Sequence, residues 1–306
     1  MSRLRSFWHD HRSLSLWLLA MAAILVACVL GPLVTADPYA QDPTRRLLPP
    51  GEGGLLGTDG FGRDVFARVV GAGQVSLGIA AVIAAAASIA GSIIGLVSGY
   101  SAATGAVLMR GMDALMAFPG IVLSIALVTA IGPGAFSEIF ALTVVFTPLI
   151  ARVIRSRALS LASRGYITAA RSTGMAGWKI LAVHILPNAL PTILVQAVLV
   201  FAAALLLDGT LSFLGMGVQA PTPTWGNMIA EARPYLTIAP MFVIAPGLAI
   251  VLVVVVLNAI GNGVRDVVDP RTRALSQLVR IRRRSDAAAR RTARTRVRPT
   301  PVTAPR

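Results

Sequence analysis

The chain has 306 residues, 55% of them hydrophobic and 13% charged, with a formal net charge of +15 and a mean hydropathy of +0.73. Soluble proteins carry about 25% charged residues, so this composition excludes a water-soluble globular domain and points to a membrane protein. A single cysteine, Cys28, excludes an internal disulfide framework and a cysteine-built metal site.

Six uncharged segments follow one another along the chain: Ser13 to Ala36, Val69 to Met109, Ala114 to Ser137, Ile139 to Ala151, Ile180 to Leu207 and Pro234 to Val264. A helix needs roughly 20 apolar residues to cross about 30 Å of hydrocarbon. Every segment but the fourth meets that length, and the fourth must extend past Glu138 or Arg152. Residues 1–12 read as a cytoplasmic tail and 13–36 as the first transmembrane helix, whose apolar stretch exceeds the roughly 7 to 15 residues of a secretory signal.

The loop 37–73 reads as extracytoplasmic. Within it Thr58, Asp59, Asp64 and Arg68 predict a short capped amphipathic helix on the outer face, with an exposed Asp64–Arg68 ion pair. Residues 74–265 read as a five-helix core. In its first helix Gly91, Gly95 and Gly99 form two small-xxx-small steps, a pattern that lets helix backbones approach closely.

Arginine and lysine mark the cytoplasmic side of a membrane protein. With the N-terminus inside and six spans, the inside segments hold six basic residues from Arg152 to Lys179 and thirteen from Arg265 onward. Omitting the fourth span would place the Arg-rich tail outside, so six spans are expected, with both termini cytoplasmic. Within the tail 266–306, the stretch from Arg280 to Arg306 has almost no apolar residues to bury. It reads as disordered and close to anionic lipid headgroups, so the positive charge reflects topology and no nucleic-acid partner is expected.

The loop 152–186 carries its basic residues with no acid. Moving them across the bilayer would cost roughly 15 to 20 kcal/mol, so it stays in the cytoplasm. Leu159, Ala162, Tyr166, Ala169, Ala170 and Thr173 recur at helical spacing and stop at Gly174, a residue suited to the left-handed turn that closes a helix. A second run carries Trp178, Leu181, Ala182 and Ile185 toward Pro187 and Pro191. The expectation is a short helix, a bend and re-entry into the membrane.

After the fifth span, Ser212 to Gly217 and the turn at Pro221 and Pro223 break the helix near the outer surface. Irregular backbone at that depth borders protein or a water-filled path.

The chain's own chemistry is sparse. Lys179, the only lysine, follows Trp178 and precedes Ile180, so the phosphate-cradling Gly-Lys-Ser/Thr loop is absent. Asp113, Glu138 and Asp208 fall at predicted span ends, leaving the interiors without the carboxylates of an ion relay. His9, His11 and His184 are too scattered for a metal site. No catalytic, cofactor or metal residue is expected, and the energy for any transport has to come from a partner. A channel or a secondary transporter working without an ATPase are the competing readings.

Several motifs together resemble a known family. Tyr166-Ile167-Thr168-Ala169-Ala170, Gly174, Ile180 and His184-Ile185-Leu186-Pro187-Asn188 resemble the Glu-Ala-Ala loop of ABC-importer permeases, with Thr168 where that loop carries glutamate. Leu56-Gly57-Thr58-Asp59, Gly62-Arg63-Asp64, Ser76-Leu77-Gly78, Asp113 with Ala117-Phe118-Pro119, and Leu211-Ser212-Phe213-Leu214-Gly215 through Trp225-Gly226-Asn227 resemble its dipeptide/oligopeptide/nickel branch. The similarity runs from about Leu14 to Pro270.

The resemblance implies an all-α membrane protein of six transmembrane helices, a type I ABC-importer permease fold with a cytoplasmic coupling helix. It implies that Tyr166, Ala169, Ala170, Gly174, Ile180, His184, Leu186 and Pro187 meet an ATPase. Ser212, Phe213, Leu214, Gly215 and Trp225 are expected at the outer gate of the translocation path. It also implies a second related permease, two ABC ATPase subunits that hold the ATP and Mg, and an extracytoplasmic substrate-binding protein, all at the cytoplasmic membrane.

Overall fold

The computed structural model describes residues 12–268; nearly all of the predicted N-terminal tail and of the predicted Arg-rich tail lies outside them. Among the described residues the regular elements are helices, with one isolated bridge between Thr58 and Asp64. By its contacts the chain divides after Val264, and the fold below is that of the unit ending there.

Helix α1 (Arg12–Leu30) leads through a 3-10 turn at Gly31–Leu33 into an irregular loop. Helix α2 (Val65–Tyr100) starts where the Asp64 carboxylate accepts the Ala67 amide at 3.0 Å. Its 36 residues extend about 54 Å, well beyond the hydrocarbon thickness of a bilayer. The separate amphipathic helix expected in loop 37–73 is therefore corrected: from Val65 onward that segment is the start of α2. The expected exposed Asp64–Arg68 pair is corrected too, because Asp64 is spent as the helix cap and Arg68 is 1% exposed.

The third predicted span is broken. Helices α3 (Ala102–Met116) and α4 (Gly120–Ile131) are bent 91° from each other across Ala117–Pro119. Proline disfavours helical backbone at the residue before it, here Phe118, which places the break. Glycines at Gly132 and Gly134, both at positive φ, then admit the turn into α5 (Ala135–Ala162). This 28-residue helix resolves the length problem of the fourth span by running past both Glu138 and Arg152.

Helix α6 (Gly165–Ser172) is short. Helix α7 (Gly177–Ile180), a π turn at Leu181–Ile185 and α8 (Leu186–Phe213) form one continuous 37-residue helix. Pro187 has no N–H for the carbonyl four residues back, and the π turn absorbs that gap in the ladder. Helix α9 (Trp225–Ala232) and α10 (Met241–Val268) complete the described chain. Among the described residues five helices are long and apolar enough to cross a membrane, and the bent pair α3–α4 makes six when counted as one span.

The core is the seam between α2 and α5, the most extensive helix pair, with α8 packed against both. A Cβ on Gly91 would come within 2.7 Å of the Ile150 Cβ, on Gly95 within 2.6 Å of the Ala151 carbonyl oxygen, and on Gly99 within 2.6 Å of the Ala158 Cβ. The three glycines thus form a groove in α2 that receives one face of α5. Where no hydrophobic effect drives association, close backbone approach supplies the van der Waals contact that holds helices together.

Candidate functional site

Two ends of the helix bundle carry the polar structure. At one end α5 stops, α6 turns back and α7 re-enters. The periodicity from Leu159 to Thr173 predicted a single helix, but the chain breaks at Ser163–Arg164, where Arg164 is extended. The hairpin is held from inside by three apolar anchors, Ile167, Ile180 and Ile185, all 0% exposed.

Gly174 closes α6 with two backbone bonds. Its N–H donates to the Arg171 carbonyl at 3.0 Å and the Met175 N–H reaches the Ala170 carbonyl at 3.3 Å, while Gly174 sits at φ +76. This is the Schellman arrangement, which needs a left-handed residue and favours glycine. A Cβ added there would meet nothing within 4 Å among the described residues. The glycine is thus required by the chain's own conformation, and the space in front of it is open.

The Arg171 guanidinium lies over the Tyr100 ring at 4.7 Å and Gly177 packs on the same ring, which fixes the hairpin to the end of α2. Tyr166 and His184 meet edge to face at 6.3 Å. Outward, the hairpin presents Tyr166 at 42%, Trp178 at 73%, Val183 at 54% and Leu186 at 38% exposure.

At the opposite end, the turn after α8 repeats the same closure: Gly215, φ +77, donates to Ser212 and Met216 donates to Leu211. Thr224 then caps α9 through a reciprocal box with Asn227. The Trp225 indole donates to the Val69 carbonyl at 2.8 Å, and its backbone N–H to the Ser76 hydroxyl at 3.1 Å. Beside it lies a buried charge cluster. The Asp59 carboxylate receives both Arg63 and Arg68 at 2.6 Å, and Glu231 receives Arg63 at 2.7 Å and Arg68 at 2.8 Å. Two arginines against two carboxylates leave the cluster neutral, and each arginine bridges the loop before α2 to α9.

A family model described as the binding-protein-dependent transport system inner membrane component matches residues 87–274. The chain belongs to that family. A Brucella abortus protein named for a peptide transport system is 43% identical over 262 residues, covering 85% of this chain and 88% of its own. The dipeptide transport system permease protein DppC of Alkalihalophilus pseudofirmus is 38% identical, covering 84% and 85%. The inward-facing MetNI methionine ABC transporter shares the fold, with a TM-score of 0.56 at 18% identity over 66% of this chain and 96% of that one.

This member of the inner membrane component family is thus a non-catalytic, multi-pass transport subunit of the ABC-importer permease class, and ATP hydrolysis belongs to a separate chain. Within the permease, the residues predicted to couple fall into two sets. Tyr166, Ala169, Gly174, Leu186 and Pro187 are exposed, with Ala170 and His184 half-buried. Ile180 is fully buried, so it anchors the hairpin rather than offering a surface. The predicted gate residues divide likewise: Phe213, Leu214 and Gly215 are exposed, whereas Ser212 and Trp225 are each 2% exposed and point into the fold.

Trp178 is not among the coupling residues expected from the sequence, where it is only a member of the second helical run. Sequence reasoning missed Glu231 altogether, since the partner arginines are more than 160 residues away. It also placed Glu138 and Asp208 at span ends near water. In the structure they are 0% and 1% exposed, inside α5 and α8, so the expectation that the spans hold no carboxylates is corrected.

Proposed function

We propose that this permease forms half of a translocation path for peptides or a similar small solute, and that the α6–α7 hairpin is the surface on which a partner ATPase docks. The relatives named for peptide and dipeptide transport support the cargo class. The single observation that carries the coupling role is the construction of the hairpin: three buried isoleucines brace it, while Tyr166, Trp178 and Val183 remain exposed on a segment flanked by basic residues.

In this reading the hairpin lies in the cytoplasm together with both termini, and the Trp225 end faces outward. A second related permease supplies the other half of the path, two ATPase chains hold ATP and Mg, and an extracytoplasmic binding protein delivers the solute. Closure of the ATPases around ATP moves the hairpin, and rigid-body rocking of the helices exposes the path to alternate sides. Trp178 is the lever's contact: an exposed indole contributes large contact area at low conformational cost.

The test is co-purification and uptake with Trp178→Glu. The variant, whose side chain touches little of its own chain, is expected at normal membrane abundance, with loss of the ATPase subunits on purification and loss of ATP-driven dipeptide uptake in proteoliposomes. Retention of the ATPases together with normal uptake would remove the hairpin from the coupling route. A wild-type complex that keeps its ATPases and takes up no peptide would leave the docking and remove the cargo.

A further inference from the structure

Glu138 lies in the first turn of α5, and Asp208 lies near the end of α8. Both sit at the end of the bundle opposite the hairpin, since α5 runs toward it and α8 away from it. Their carboxyl groups are within hydrogen-bonding reach of each other. Among the described residues no donor satisfies any oxygen of either one.

A third polar group points at the same place. Ser212 follows Asp208 by one helical turn, so the two share a face of α8. Its hydroxyl is buried and also lacks a partner. Gly217, from the turn after α8, packs against both sides: a Cβ there would run into the Ser212 Oγ and lie 3.0 Å from the Glu138 Oε2. Arg63 and Arg68 are paired with Asp59 and Glu231 and bring no charge to this site.

Two ionised carboxylates side by side, out of reach of water, lose their hydration and repel one another, which a folded chain does not sustain. Something positive has to lie between them. A hard metal ion takes about six oxygens around it, whereas the groups here are two carboxyls in mutual contact and one hydroxyl. A hydrogen fits that geometry, as it does in carboxylate dyads that share a proton.

We propose that Glu138 and Asp208 form a proton-binding site in which one proton is held between the two carboxyl groups, with the Ser212 hydroxyl donating to the oxygen that keeps the charge. The O–H···O bond ties the start of α5 to the end of α8 just beneath the Gly215–Gly217 turn. The site carries one net negative charge, and it is independent of which solute or partner the permease serves.

Infrared spectroscopy of the purified complex, with hydrogen–deuterium exchange, tests this without any transport step. The wild type is expected to show a protonated-carboxyl C=O stretch at neutral pH that is lost in both Glu138→Gln and Asp208→Asn. Each amide supplies an N–H in place of the proton at unchanged net charge, so both variants are expected to assemble at wild-type yield. Replacing sodium by choline is expected to leave the band unchanged.

A wild-type spectrum without the band overturns the proposal. So does a band that persists in either variant, which would mean that each acid carries its own proton. A band that appears only when sodium is withdrawn would make the site a metal-ion site instead. Failure of the amide variants to assemble also contradicts it, since they preserve both the hydrogen bond and the charge.

Discussion

Arg68 and Asp59 meet at 2.6 Å where neither side chain reaches solvent, and the same guanidinium spans across to Glu231 at 2.8 Å. The loop before α2 and the helix α9 are therefore fastened through Arg68 as well as through Arg63. Removing one member of a buried ion pair leaves a charge without compensation, at a cost of roughly 3 to 5 kcal/mol. Arg68→Ala is expected to lose most of the protein from the membrane fraction and to lower its thermal unfolding temperature in detergent. Arg152→Ala is the contrast: its pair with Asp113 is more than half exposed on both sides, and pairs of that kind contribute about 0 to 1 kcal/mol. Equal loss in the two variants would show that burial is not what gives the cluster its weight.

The glycine groove of α2 makes a second contrast. At Gly95 an added side chain meets backbone, the Ala151 carbonyl and the Arg155 amide, and backbone in a packed helix has nowhere to go. Gly95→Val is expected to push α2 and α5 apart and cost about 1 to 3 kcal/mol. At Gly78 the same helix has nothing within 4 Å of an added Cβ. There Gly→Ala is expected to stabilise by up to about 1 kcal/mol, because alanine is the better helix former. Thermal unfolding of the two variants in one detergent decides the matter, and the groove has no packing role if Gly95→Val unfolds at the wild-type temperature.

These contrasts show which parts of the fold the sequence carries. The glycine steps were legible because spacing alone puts Gly91, Gly95 and Gly99 on one face, and hydropathy located the spans because the bilayer sets their length. Partner identity was not legible. Nothing in Asp64-Val65-Phe66-Ala67-Arg68 says that Arg68 turns inward to a glutamate on a distant helix. The 91° break between α3 and α4 hid inside a continuous uncharged run, with Phe118-Pro119 as its one local signal. Likewise, charge gaps took Glu138 and Asp208 for interface residues, because a gap ends at a carboxylate whether that carboxylate meets water or another acid.

Trp225 offers a third measurement. Its indole N–H reaches the Val69 carbonyl while its ring fills the space beside Gly73. Trp225→Phe keeps most of the apolar area and removes one hydrogen bond to a carbonyl that lies within helix α2, for an expected loss of about 0.5 to 1.5 kcal/mol. Trp225→Ala also empties the site and is expected to cost about 3 to 5 kcal/mol. A smaller effect for alanine than for phenylalanine, read by thermal unfolding, would mean that the indole is not packed in the interior.

Gly174 separates a conformational demand from a docking demand at one position. Its φ of +76 disfavours a β-branched side chain, although the chain leaves the space in front of it empty. Gly174→Val therefore forces a left-handed backbone on an unsuitable residue, at about 1 to 2 kcal/mol, and is expected to reduce abundance through the folded chain itself. Gly174→Asn is different, because asparagine tolerates the left-handed turn and keeps the closure of α6. If a partner packs against this face, the asparagine variant reaches the membrane at wild-type level, yet hydrolyses ATP without matching solute uptake. Parallel measurement of abundance, ATPase rate and uptake tells the two demands apart: full coupling in Gly174→Asn assigns the glycine to the helix end alone.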